Sequence, residues 1–133
     1  MYNGDPYNEL VRQYFMHPAH AGRLAADGAG AAPAEAGAAA AGATVRLMLA
    51  QRDGRIDAIR FQAWGCPHLI AAAEVACERL TGEPLAELAR FEPRQLMQAL
   101  AVPVEKTGQL LLLEDALRSL YRVAAASEQG KNG

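Results

Sequence analysis

Cysteine is scarce. Cys66 and Cys77 are the only thiols in 133 residues. That number is too small for a disulfide framework. The start of the chain, MYNGDPYNEL, is acidic and polar, without the basic residues and apolar run of a secretory leader. A cytoplasmic protein is therefore expected. Positive charge is also short: 13 Lys and Arg stand against 15 Asp and Glu, for a formal net charge of -2. No basic stripe marks a nucleic-acid partner. No apolar run approaches the roughly 18 residues of a membrane span. A nucleophile elbow, a P-loop, a dinucleotide fingerprint and a zinc-protease helix are all missing, so no independent motif points to an enzyme.

What is present fits one globular domain over residues 1–133, with 51% hydrophobic and 21% charged residues. Leu10, Val11, Tyr14 and Phe15 share a helical face within residues 7–16. Asp5 and Pro6 suit the start of that helix, and His17-Pro18 suits its end. Residues 25–43 are almost all Ala and Gly, with Pro33, and read as a flexible loop with at most a helical turn near Ala34-Glu35.

Val45, Leu47 and Leu49 then alternate with Arg46, Met48 and Ala50. Asp53-Gly54 is a tight-turn signal, and Ile59, Phe61 and Ala63 alternate on the return strand. A two-stranded hairpin is marginal alone, and a third strand is expected around residues 23–26. Helical patterns follow over residues 67–80, closed by Thr81-Gly82, then over 85–90, 92–100 and 109–126, with a frayed polar tail at 127–133. A helix, antiparallel strands and then more helices make an α+β domain with helices packed on a sheet.

The chemistry concentrates at Gly65-Cys66-Pro67, where the return strand turns into a helix. The free amides of a helix start favour an anion, so a thiol there could be a reactive thiolate or a metal ligand. The plainer alternative is a small buried apolar side chain. His68 could ligate a metal beside Cys66, but residues two apart on a helix diverge, and a partly exposed helix-start histidine is the simpler reading. Cys77 lies eleven residues further on, about 16 Å along a helix axis, too far to share a metal or a disulfide with Cys66. It reads as core. His17 and His20 form an HxxH pair interrupted by Pro18 and read as a solvated loop. Glu114 and Asp115 diverge on the last helix, and Arg46, Arg55 and Arg60 form a small basic patch on the hairpin.

Taken together, YNELVRQYFMHPAHAG, the hairpin ending in IRFQAWGC, and VPVEKTGQLLLLEDAL resemble the NifU/IscU-type iron–sulfur cluster assembly scaffold family over about residues 7–125. The resemblance implies a three-stranded antiparallel sheet with helices packed on it, a [2Fe-2S] cluster or iron as cargo, and cysteine desulfurase and assembly chaperones as partners. It implies a non-enzymatic role. Family members hold the cluster with three cysteines and a nearby Asp or His. Cys66 matches the second cysteine. Ala41 stands in the place of the first, Ala43 in that of the Asp, Gly108 in that of the His and Gln109 in that of the third cysteine. With His68, His17 or His20 as the substitutes on offer, the implied function is a scaffold-like protein with impaired cluster binding. The alternatives are a cluster-free regulatory module for assembly partners and a sulfur acceptor that carries a persulfide on Cys66.

Overall fold

The computed structural model describes residues 8–24, 33–40 and 42–132. Three strands, β1 (Ala34–Ala40), β2 (Ala43–Arg52) and β3 (Arg55–Trp64), form one antiparallel sheet in the order β1-β2-β3. Four helices, α1 (Glu9–Met16), α2 (Pro67–Leu80), α3 (Glu87–Arg90) and α4 (Thr107–Asn132), accompany it. Helix α4 packs on β1 and β2, α2 packs on β3, and α1 lies against α2. The result is the expected α+β layering.

The hairpin follows its pattern. Leu47 pairs with Phe61 and Leu49 with Ile59, and all four are buried on the helix-facing side. Asp53 and Gly54 take the positive φ values, 55° and 75°, that its tight turn requires. Helix α2 is the centre of the molecule. Ten of its fourteen residues are buried, as expected of a helix covered on several sides. Pro67 occupies the first turn, where its missing N–H costs nothing. No described helix is long and apolar enough to cross a membrane.

Several expectations need correction. The third strand is not at residues 23–26: Arg23 and Leu24 are not in a strand, and residues 25 and 26 lie outside the described residues. It is Ala34–Ala40, inside the stretch expected to be a loop or a helical turn, and it pairs in continuous register with β2 from Ala34↔Leu49 to Ala40↔Ala43. Ala34, Ala36 and Ala38 pack against the core. Small side chains let α4 lie close over this strand, and on the opposite face Gly37 lets β1 lie close to β2: a Cβ there would stand 2.7 Å from the Val45 carbonyl oxygen. The loop expectation for residues 25–32 and for Ala41 falls outside the described residues.

Asn8 caps α1, its side chain accepting from the Val11 N–H at 2.9 Å; the expected start at Asp5-Pro6 lies outside the described residues. The expected helix over 92–100 is a short 3-10 turn, Pro93–Leu96, followed by irregular turns. Finally, α4 continues to Asn132 where a frayed tail was expected.

Candidate functional site

Strand β3 ends at Trp64, Gly65 makes the corner, and Cys66 is the residue that precedes and caps α2. Its backbone is extended, with φ -75° and ψ 160°. The Cys66 carbonyl accepts from Leu69 and Ile70, at 3.0 and 3.3 Å, so the helix is anchored on it. The thiol is half-buried.

Two other segments meet this corner. Gln109, in the first turn of α4, accepts the Cys66 N–H on its side-chain oxygen Oε1 at 3.1 Å. Ala43, the first residue of β2, stands on the other side. A Cβ built on Gly65 would lie 2.9 Å from Gln109 Oε1, 3.4 Å from the Ala43 Cβ and 2.7 Å from a Leu69 methyl. Glycine is thus the residue that lets three elements close on the thiol. Ala43, Cys66 and Gln109, which are far apart in sequence, share one corner of the fold. Ala41 lies outside the described residues.

The donor set does not suit an iron–sulfur cluster. Clusters are held mainly by thiolates, four protein ligands to a cluster. Here Ala43 offers no donor. Gln109 offers a neutral amide whose oxygen is already engaged by a backbone N–H. One thiol, Cys66, remains at the corner. Among the described residues, no group of three or more His, Cys, Asp and Glu comes together in a way that could hold a metal ion.

His68 differs from its expected half-exposed state. It is 3% exposed. Burial holds its imidazole below the usual histidine range; a hydrogen bond to the Ala101 backbone opposes this shift and the Lys106 charge reinforces it. The ring therefore serves the packing of the 101–106 segment against α2. The speculative Cys66–His68 metal pair has no third ligand of those types among the described residues.

Cys77 is fully buried in the core. Burial first, and the nearby Glu74 carboxylate second, push its thiol far above the usual range, so it stays protonated. The HxxH pair separates. His17 closes α1, whereas His20 reaches a carboxylate that sequence reasoning missed. Glu74 is 2% exposed and accepts the His20 backbone N–H at 2.7 Å. It also contacts His20 Nδ1 at 2.5 Å. Nothing in the local sequence announces this pair, since the partners are 54 positions apart; an acidic residue inside an otherwise apolar helical run was the one available signal. Glu114 bonds Arg118 at 3.1 Å and lies 3.8 Å from Arg94, while Asp115 is exposed, so the two carboxylates are not a catalytic pair.

Comparison with known proteins agrees with this architecture. The family model of the NifU-like N terminal domain matches residues 6–126. The iron-sulfur cluster assembly scaffold protein IscU of Azotobacter vinelandii is 29% identical over 117 residues, covering 87% of this chain and 91% of that protein. Iron-sulfur cluster assembly protein 2 of Arabidopsis thaliana is 30% identical over 117 residues, covering 87% of this chain and 72% of that protein. Among solved structures, a NifU-like protein (N-terminal) from Brucella abortus superposes with a TM-score of 0.53 at 20% identity, covering 88% of this chain and 81% of that one, which shows the shared fold.

Proposed function

This chain belongs to the NifU-like N-terminal domain family, and from that premise we propose that it is an iron–sulfur cluster assembly scaffold-like protein with impaired cluster binding. The observation that carries this reading is the contact of Gln109 Oε1 with the Cys66 N–H, beside Ala43. The corner where a cluster would be held is intact as a fold and stripped as a ligand set. The proposed role is non-enzymatic and cytoplasmic, in contact with a cysteine desulfurase and assembly chaperones. Relatives named as scaffold proteins support the pathway, and ligand chemistry supports the impairment. Anaerobic reconstitution with ferrous iron and sulfide tests it. The protein should develop no stable charge-transfer absorbance, and a stable spectrum that vanishes in Cys66→Ser would overturn the impairment.

A second reading is favoured by the half-buried thiol at the start of α2. Cys66 accepts sulfur. Its thiolate attacks the outer sulfur of a desulfurase persulfide, a new S–S bond forms on Cys66, and the desulfurase leaves as its own thiolate. Mass spectrometry after incubation with a desulfurase and free cysteine should show a mass increase of one sulfur on Cys66, and its absence would reject this reading.

A further inference from the structure

The sheet has two faces, and the described helices cover one. Strand alternation places the other side chains in three rows: Glu35, Met48 and Arg60; then Gly37, Arg46 and Gln62; then Ala39, Thr44 and Trp64. Met48 is 5% exposed at one end. At the other end lies a groove of about 470 Å³ across all three strands. Gly37, Ala39 and Thr44 give it a low floor, and Trp64 forms one wall. Trp64 is the single tryptophan of the chain and is 75% exposed. A large exposed aromatic beside a small-residue floor is the kind of residue that dominates binding energy at protein interfaces.

The charge of this face opposes that of the whole chain. Arg46 bonds Glu35 at 2.7 Å, Arg23 lies 3.6 Å from the same carboxylate and donates to Gln62 at 3.1 Å, and Arg60 donates to its neighbour's carbonyl at 2.8 Å. Three guanidinium groups against one carboxylate leave two positive charges, on a protein of net charge -2. Adjacent rows are about 7 Å apart, the distance between alternate side chains of an extended peptide.

We propose that this open face of the sheet docks an extended acidic segment of a partner protein, with an apolar side chain against Trp64 and carboxylates two and four residues further along, facing Arg46 and Arg60. A nucleic acid would need more cations than three guanidiniums, two of which already share the Glu35 carboxylate. The surface uses neither the Cys66 thiol nor Gln109, so it stands or falls separately from the cluster reading.

The test is fluorescence anisotropy with a labelled synthetic peptide: phenylalanine, then two glutamates at alternate positions, with serine spacers. Binding should saturate and weaken as salt rises. Trp64→Ala and Arg46→Ala should each weaken it at least fivefold, with circular dichroism reporting the fold. If Arg46→Ala does not fold, Arg23→Ala reads the same charge. The same peptide with lysines in place of glutamates should not bind. The proposal is overturned if the acidic peptide fails to saturate, if it binds the variants equally well, or if a short oligothymidylate binds more tightly at the same salt.

Discussion

Gln109 Oε1 receives the Cys66 N–H at 3.1 Å, and so ties the first turn of α4 to the start of α2 across 43 positions of sequence. A side chain that could have been a metal donor instead satisfies a backbone amide. Gln109→Ala should leave that part-buried amide without its partner and cost about 1–2 kcal/mol, read as a lower urea midpoint. Gln109→Glu preserves an acceptor and should cost less. Equal losses in the two variants would show that the contact contributes nothing specific.

The buried Glu74 carboxylate accepts from both the backbone and the ring of His20. Glu74→Ala removes both contacts and opens space in the centre of α2. It should destabilise the protein by about 3 kcal/mol. Glu74→Gln keeps an acceptor for the His20 N–H and should lose clearly less in the same urea titration. If the alanine variant is as stable as the parent, the pair does not hold the segment after α1 in place.

His68 gives a pH dependence with a definite sign. Its folded pKa lies below the usual value, chiefly through burial, so near and below about pH 6.5 the unfolded chain binds the extra proton more readily. The stability that His68 contributes as a neutral ring is present above that pH and is lost as pH falls. Urea midpoints should therefore drop between about pH 7 and pH 5, and His68→Gln, which cannot titrate, should flatten that slope. An unchanged slope in the variant would assign the dependence to other groups.

Ala101 has φ of 50°, in the left-handed region that costs a residue with a Cβ about 1–2 kcal/mol. It lies within a turn closed by the Val102 N–H, which reaches back to the Met97 carbonyl at 2.9 Å, a position that glycine suits. Ala101→Gly should raise stability by about 0.5–1 kcal/mol after glycine's extra unfolded-state entropy is counted. A loss of stability would mean that the Ala101 methyl group packs usefully.

The parts of the fold legible in the sequence were those with a local signal. Alternating Val45, Leu47 and Leu49, the Asp53-Gly54 turn and the Pro67 helix start each carry their own physics. Strand β1 does not, because Ala and Gly have little preference for a strand and its stability comes from pairing with β2 and cover from α4. The site was half legible. Cys66 at the strand-to-helix corner could be read directly, and the convergence of Ala43 and Gln109 on it was implied only by family resemblance. The His20–Glu74 pair and the depth of His68 are set by tertiary packing, which leaves no periodicity to read.

On the proposed reading the cluster corner survives as geometry and has lost its donors. The most direct measurement is iron and sulfide content per chain after anaerobic reconstitution, taken with the visible spectrum, for the natural chain beside the Ala41→Cys, Ala43→Asp, Gln109→Cys variant. The natural chain should retain neither iron nor sulfide in fixed stoichiometry after desalting. The variant should gain a charge-transfer band with iron and sulfide in equal amounts. A natural chain that holds iron and sulfide as firmly as the variant would contradict the account.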